Sequence, residues 1–168
     1  MAYSLGGVAI RPVINASPLI LLTKVGWLDL LQLVSTEVVV PAPVATEIQQ
    51  RGVSDITVQA LAQTNWLVVI ETPPVPSVIQ LYDLGAGESS VLTWAYVNPG
   101  TEAIVDDLAA RRCAAALGIP IRGTLGLVLT AKLSGTIPAA RPILEQLRQS
   151  GLYLSDRVMN QALALVGE

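Results

Sequence analysis

Five oxygen-bearing side chains in this sequence are spaced so that folding could bring them to one metal ion. They are Asn15, Glu47, Glu88, Asp106 and Asp107. Asn15 ends one apolar run, the two aspartates end "AIVDD", and each glutamate lies in a predicted helix. Oxygen ligands without any histidine are typical of hard divalent cations. The set therefore predicts a site for Mg²⁺ or Mn²⁺.

Helix phase distinguishes the two glutamates from ordinary surface acids. At about 100° per residue, Glu88 falls near the middle of the apolar stripe of the predicted helix 87–97. Glu47 lies at the edge of the stripe of helix 42–51. A negative charge near the start of a helix also interacts favourably with the helix dipole, but that role does not require the side chain to face the core. An inward carboxylate without a partner shifts its pKa or recruits a cation, which favours the metal site.

Each of these residues also has a purely structural interpretation. Asn15 could be a polar hinge between a buried strand and a helix. Ser17 followed by Pro18 is typical of a helix N-cap with proline at the first helical position. Asp106 or Asp107 could likewise cap the next helix, and we expect one of the two to do so. Only the whole set, at matching ends of separate elements, favours a functional interpretation.

The residues that are missing exclude several kinds of chemistry. The chain has no histidine, which excludes Ser-His-Asp and Cys-His catalysis and the HExxH zinc site. A single cysteine, Cys113, allows no intrachain disulfide and nearly excludes a zinc centre. The phosphate-binding motif GxxxxGK[ST] is missing too, and "LGAGES" resembles a glycine-rich phosphate loop only weakly. Carboxylates and hydroxyls remain as the main catalytic groups.

Composition indicates one folded, cytoplasmic domain. The 168 residues are 52% hydrophobic, which is enough for a substantial core. The apolar runs are shorter than the roughly 20 residues that a membrane span needs, so we expect no membrane association. The start of the sequence has no basic segment leading into an apolar run, as a secretion signal would. We expect a single domain over 1–168, with a C-terminal helical extension at about 136–168.

Short β-branched runs alternate with helical patterns, which predicts an α/β fold with a largely parallel sheet. The segment "VIQLYD" is also helical in pattern. The predicted strands are 9–15, 37–40, 67–70, 103–106 and 119–122. The predicted helices are 17–24, 27–34, 42–51, 56–63, 87–97, 108–117, 124–133, 140–149 and 156–166. Ligands of such sheets bind outside the carboxyl ends of the strands, where the five polar residues lie.

Charge is distributed unevenly along the chain. Seven of the ten basic residues but only three of the thirteen acids lie from position 111 onward, giving formal charges of +4 there and −7 before it. Most of these bases are expected to be solvated helix charges. Arg111 and Arg112 follow the aspartate pair by one turn, so they are the candidates for holding the phosphate groups of a substrate beside the acidic cleft.

Several motifs in this order resemble a PIN domain, of the prokaryotic subgroup with a D/N-x-SPLI start and a GxGE helix. The resemblance spans nearly the whole chain and rests on "VINASPLILLTKVGWLDLL", "VVVPAPVATEI", "DLGAGESSVL", "IVDDLAARRCAAALGIPIRGTLGLVLTAKLSG" and "LYLSDRVMNQAL". It implies a Rossmann-like three-layer α/β/α fold with a central parallel five-stranded sheet. It also implies a Mg²⁺- or Mn²⁺-dependent ribonuclease, often the VapC-type toxin of a toxin–antitoxin pair and usually a homodimer.

The resemblance also implies roles for individual residues. The first acidic position of the family falls on Asn15, the second on Glu47, the third on Glu88, and the fourth on Asp106 or Asp107. Ser17 matches a position that often carries a small hydroxyl or polar residue near the metal, and we expect it to bind substrate. Asn15 is a departure, because an amide keeps a carbonyl oxygen but lacks the negative charge of aspartate. Weaker metal binding and weaker catalysis are therefore expected.

Three hypotheses about function follow. The first is a metal-dependent endoribonuclease that hydrolyses RNA phosphodiester bonds with a metal-activated water, acting as a toxin with an antitoxin protein as partner. The second is a PIN-like module with weak or no catalysis that acts by binding RNA or protein, which the amide of Asn15 favours. The third is an α/β domain that binds a small ligand at "GAGE".

Overall fold

A five-stranded, entirely parallel sheet forms the centre of the molecule. The computed structural model describes residues 10–168. The strand order is β3-β2-β1-β4-β5, and every neighbouring pair is parallel. The strands are β1 (Val13–Ile14), β2 (Val38–Pro41), β3 (Leu67–Ile70), β4 (Ala103–Ile104) and β5 (Ile121–Arg122). The predicted α/β class with a parallel five-stranded sheet between helices is confirmed.

Helices flank this sheet. A 3₁₀ helix at Leu28–Leu33 occupies the place of the α-helix predicted over 27–34, and "VIQLYD" contributes only one short helical turn, which begins one residue before it. The α-helices are α1 (Ala16–Lys24), α2 (Ala42–Gln49), α3 (Ile56–Gln63), α4 (Ser77–Gln80), α5 (Ala86–Val97), α6 (Leu108–Ala116), α7 (Thr124–Leu133), α8 (Arg141–Gln149) and α9 (Asp156–Leu165).

The strands are short but strongly buried. Val38, Val39 and Val40 are fully buried although neighbouring strand residues point to opposite faces, so both faces of the sheet are covered. The first strand is shorter than the predicted 9–15, and Ala9 lies outside the described residues. Buried leucines of α8 and α9, including Leu144 and Leu163, belong to the same hydrophobic core as the strands.

The order of the strands determines where a cleft forms. From the central strand β1 the chain proceeds through β2 to β3 on one side, and it later returns to place β4 and β5 on the other. The strand order therefore reverses between β1 and β4, which is where ligands of such sheets bind. The backbone N–H of Asn15 donates to the carbonyl of Ile104 at 3.1 Å, which ties the end of β1 to β4 at this point.

Residues 10–168 include no helix that is both long enough and apolar enough to span a membrane.

Candidate functional site

A cleft of about 390 Å³ opens at the carboxyl edge of the sheet, at the reversal of strand order. Its walls come from the start of α1, the first turn of α5, the β4–α6 connection and the segment between α8 and α9. It is lined by Asn15, Ser17, Leu21, Glu88, Asp106, Asp107, Leu108, Gly151, Leu152 and Tyr153. Four of the five predicted catalytic residues therefore share one cleft, as the strand-end rule predicts.

Asn15 is the deepest polar residue of this cleft. Its side chain is 3% exposed, and its Oδ1 has no hydrogen-bond partner within residues 10–168. Asn15 occupies the N-cap position of α1 but makes no side-chain capping bond. One cause is local, because Pro18 at the third helical position has no N–H for a cap to accept. A buried carbonyl oxygen without a partner is an available ligand.

The N-cap interpretation of Ser17 is wrong. Helix α1 begins at Ala16, one residue earlier than predicted, which makes Asn15 the N-cap and places Ser17 inside the first turn. The proline therefore lies at the third helical position rather than the first. Ser17 is exposed and lines the cleft, where its hydroxyl can reach a bound group.

The two aspartates, which the sequence does not separate, have different roles in the structure. Asp107 is the N-cap of α6, and its Oδ2 accepts from the N–H of Ala110 at 2.9 Å, as expected for one member of the pair. Asp106 accepts from Thr124 twice, from its N–H at 2.7 Å and from its hydroxyl at 2.6 Å. Those bonds use one lone pair on each carboxylate oxygen and leave the others for a ligand.

Glu88 and Glu47 form the other side of the site. Glu88 lies in the first turn of α5 and is partly buried, and it also lines a neighbouring cleft of about 410 Å³ together with Glu47. Glu47 itself lines only the neighbouring cleft. Partial loss of hydration raises the pKa of Glu47, and the negative charge of Glu88 raises that pKa further. A carboxylate whose charged form is disfavoured by burial and by a second negative charge favours the binding of a cation.

Gly87 allows these groups to approach each other. A Cβ on residue 87 would lie 2.8 Å from Oε2 of Glu47 and 3.2 Å from Oδ1 of Asn15. Both oxygens therefore face the same small space beside the α5 backbone, which a larger residue would occupy. Glu47 and Asn15 therefore border one space, although Glu47 is not part of the main cleft.

The predicted phosphate-binding arginines differ in position. A Cβ on Gly123 would lie 2.7 Å from Nη1 of Arg111 and 3.2 Å from Oδ1 of Asp106, so this guanidinium is near Asp106 although Arg111 does not line the cleft. Arg111 lines an adjoining pocket with Glu102 and Arg122. Arg112 is exposed and is not among the residues that line the cleft.

The oxygen atoms of the site are suited to a hard cation, but they do not form a complete set of ligands around one point. In the described part of the chain, no three Asp, Glu or Cys side chains are grouped closely enough to hold a metal ion. Asn15 occupies the position where the family pattern would have an aspartate, so the cleft has Glu88, Asp106 and Asp107 as carboxylates and Asn15 as an amide. The unpartnered Oδ1 of Asn15 fits Mg²⁺ or Mn²⁺, which both prefer oxygen ligands.

Sequence reasoning missed two parts of this site. Thr124 follows β5, so the strand-end rule that identified Asn15 and Asp106 could have found it as well. Leu108 and Tyr153 line the cleft with exposed apolar surface. No pattern in the sequence places Tyr153 there, because its position depends on how α8 and α9 pack on the domain.

The fold and the cleft define a class of protein: a parallel α/β domain with an acidic, oxygen-rich cleft at the reversal of its strand order. A family model described as a PIN domain matches residues 11–168. The chain therefore belongs to the PIN-domain family, and the resemblance seen in its motifs is confirmed. No curated protein matches the chain. PIN domains are typically nucleases that bind RNA and generally use divalent metals.

Proposed function

We propose that this protein is a Mg²⁺- or Mn²⁺-dependent endoribonuclease that hydrolyses RNA phosphodiester bonds. The observation that carries the proposal is the buried, unpartnered Oδ1 of Asn15, which lines one cleft together with Glu88, Asp106 and Asp107. A buried acceptor without a partner costs about 1–3 kcal/mol. A bound cation would remove that cost.

The residues of the cleft have distinct roles in this proposal. Glu88, Asp106 and Asp107 would hold the metal directly or through water, Asn15 would be a weaker neutral ligand, and Glu47 would complete the acidic surroundings. When bound, the cation neutralises phosphate charge and lowers the pKa of a water molecule, so hydrolysis needs no histidine. Thr124 keeps the carboxylate of Asp106 in place through its two hydrogen bonds.

The RNA would be held at the rim of the cleft. Ser17 is exposed and can donate its hydroxyl to a phosphate oxygen. Arg111 and Arg112 begin the basic part of the chain; neither lines the cleft, so they would contact phosphates of the RNA farther from the bond to be cleaved. Each such contact is screened by salt, so we expect RNA affinity to fall as the salt concentration rises.

A cleavage assay combined with calorimetry tests the proposal. A single-stranded RNA with a fluorophore and a quencher is incubated with Mn²⁺ and with wild-type protein, Asn15→Asp or Glu88→Gln. Calorimetry follows Mn²⁺ binding to the same proteins. We expect cleavage by the wild type, faster cleavage and tighter Mn²⁺ binding by Asn15→Asp, and loss of both by Glu88→Gln.

The matched control is Glu145→Gln, which removes one exposed carboxylate from α8, outside the cleft. This variant is expected to bind Mn²⁺ and to cleave RNA as the wild type does. If the wild type and Asn15→Asp both leave the RNA intact at saturating Mn²⁺, the nuclease proposal is wrong. Equal losses in Glu88→Gln and Glu145→Gln would also contradict it, because the effect would then be one of net charge.

A second candidate is a PIN module that binds RNA or protein with little or no cleavage. The amide of Asn15 favours it, because the cleft lacks the negative charge that an aspartate would supply there. The same assay separates the two candidates: a silent wild type whose activity appears in Asn15→Asp supports the binding module. Cleavage by the wild type at a comparable rate supports the nuclease.

The biological setting is also part of the proposal. As predicted from the motifs, we propose a cytoplasmic toxin that forms a homodimer and is neutralised by an antitoxin protein. Growth arrest on expression, relieved by the product of an adjacent gene for a small DNA-binding protein, would support the toxin role. Light scattering at several protein concentrations tests the dimer.

A further inference from the structure

Tyr153 is an exposed aromatic residue at the rim of the acidic cleft. Its side chain is 93% exposed, yet it lines the same cleft as Asn15, Glu88 and Asp106. Leu108, which is 61% exposed, lines this cleft too. The cleft thus combines a group of oxygen ligands with an apolar surface that faces solvent. Neither the ligands nor the fold of the domain requires an aromatic ring at this position.

The backbone on both sides of Tyr153 is fixed. Leu152 and Leu154 are both buried, so Tyr153 is held outward between two anchored neighbours. Before it, the N–H of Leu152 donates to the carbonyl of Leu147 in α8 at 3.0 Å, and Gly151 has the positive φ of 121° that this turn needs. After it, Ser155 caps α9 by accepting from the N–H of Val158. The ring is therefore presented by a rigid segment.

We propose that the ring of Tyr153 stacks on an unpaired nucleobase of the RNA beside the phosphate to be cleaved, an inference that rests on the proposed ribonuclease function. The carboxylates of the cleft repel a phosphodiester, so within the cleft only the cation and the hydroxyl of Ser17 would attract it. Among the described residues that line the cleft, none is Lys or Arg. Base stacking on an aromatic ring supplies affinity that does not depend on charge, and it accepts any base.

Stacking on Tyr153 also restricts whether the bound RNA can be single-stranded or double-stranded. A base that stacks on a protein side chain must leave its own helical stack, which is easiest in a single strand or a loop. The preferred substrate is therefore single-stranded at the cleavage site. A duplex of the same sequence would have to open before a base reached the ring.

The test measures how the ring and one base depend on each other. A fluorescent single-stranded RNA of eight nucleotides, and versions with one abasic site at each position, are mixed with the protein and Mn²⁺. Anisotropy is read in a stopped-flow instrument before cleavage proceeds. For wild-type protein we expect one abasic position to weaken binding by about tenfold. For Tyr153→Ala we expect binding of the intact RNA to be weakened by a similar factor, with no further loss at that abasic position.

Three variants separate stacking from other causes. Tyr153→Phe keeps the ring and should bind as the wild type does, whereas Tyr153→Leu keeps apolar surface only and should resemble Tyr153→Ala. Tyr96→Ala removes a partly exposed tyrosine near the far end of α5, outside the cleft, and should change nothing. These variants alter exposed side chains, so their folding is not at risk.

The outcomes distinguish this inference from the proposed function. RNA cleavage that is unchanged in Tyr153→Ala, with equal abasic effects in both proteins, would overturn stacking and leave the nuclease in place. Base-dependent binding without cleavage would support stacking and contradict the nuclease. Unchanged RNA binding together with an altered oligomeric state in Tyr153→Ala would assign the ring to a protein contact and overturn the inference. A wild-type protein that binds no RNA would overturn both proposals.

Discussion

The starts of helices α1 and α6 lie side by side at the carboxyl edge of the sheet, but their polar side chains are in opposite states. At α6, Asp107 caps the helix, and the neighbouring Asp106 accepts two hydrogen bonds from Thr124. At α1, Asn15 occupies the same capping position, and its Oδ1 has no partner within the described residues. Both helices follow neighbouring central strands, so topology does not explain the difference.

The difference divides the site, which consists of the main cleft and the adjoining Glu47, into two halves with different properties. In the half that contains Asp106, Asp107 and Thr124, both aspartates accept hydrogen bonds from the protein, which stabilises the fold. The half that contains Asn15, Glu47 and Glu88 leaves an acceptor unpaired and brings two carboxylates together, which lowers stability when no cation is bound. Unsatisfied groups of this kind concentrate at functional sites.

The change Asn15→Asp should sharpen this contrast most. It places a charge at a buried position that already faces Glu47 and Glu88, and an unpaired buried charge costs about 3 kcal/mol or more. We expect the free energy of unfolding of the metal-free variant, measured with urea, to be lower than that of the wild type by about 3 kcal/mol. Adding Mn²⁺ should recover more stability in the variant than in the wild type, because the added charge binds the cation.

The control for this experiment is Asp106→Asn, on the satisfied side of the cleft. It removes a charge and weakens two hydrogen bonds that the carboxylate accepts, so it should lower stability without increasing the response to Mn²⁺. If Asn15→Asp leaves the metal-free stability unchanged, the α1 half of the cleft does not hold the unfavourable charges that we describe. Urea unfolding of the wild type and the two variants, each with EDTA and with Mn²⁺, measures all six conditions.

The change Thr124→Val should weaken the half of the site that contains Asp106, Asp107 and Thr124. It removes the hydroxyl that donates to Asp106 at 2.6 Å while keeping nearly the same shape at a fully buried position. A hydrogen bond to a charged group contributes about 1.5–3 kcal/mol, so we expect a loss of that size in urea unfolding. Thr124→Ser keeps the hydroxyl and should lose less. Equal losses in the two variants would show that the bond adds no stability.

Much of this architecture could be predicted from the sequence because apolar patterns report burial. Runs such as Val38–Val40 are buried on both faces, and each of the five strands was located. The strand-end rule then brought Asn15, Glu88, Asp106 and Asp107 to one cleft. Periodicity and topology together were sufficient for these residues.

The remaining features depend on contacts between distant segments. The start of α1 was placed one residue late, because Ser-Pro is a strong local capping signal and the packing of the β1 end overrides it. The bond between Asp106 and Thr124 and the position of Tyr153 arise from segments 18 and about 47 residues apart from Asp106 in sequence. No local pattern encodes such pairs.

Two helical glycines, Gly87 in α5 and Gly126 in α7, test how closely the side chains around Asn15 and Glu47 are packed. A Cβ on Gly126 in α7 would meet only the side chain of Arg122, at 3.6 Å, so Gly126→Ala should stabilise the protein by about 0.5–1 kcal/mol. A Cβ on Gly87 would lie 2.8 Å from Glu47 and 3.2 Å from the buried Asn15. We expect Gly87→Ala to show no gain and to weaken Mn²⁺ binding. Equal gains in urea unfolding would mean that this space is not restricted.

The smallest expected effect is that of Glu47→Gln, which removes the carboxylate whose pKa is raised by burial and by Glu88. A pKa raised in the folded state means that protonation of Glu47 contributes stability below its ordinary value of 4.5, and that this contribution is lost as the pH rises through the folded pKa.

At pH 7 the ionised carboxylate of the wild type therefore lowers stability, and the glutamine variant should be more stable by less than about 1 kcal/mol, because this partly solvated charge is screened. The advantage should disappear below about pH 4, where the wild-type carboxylate is protonated in both states. Thermal unfolding across this pH range, without metal, measures the effect. A variant that is less stable than the wild type at pH 7 would mean that Glu47 belongs to the half that contains Asp106, and the proposed division of the site would be wrong.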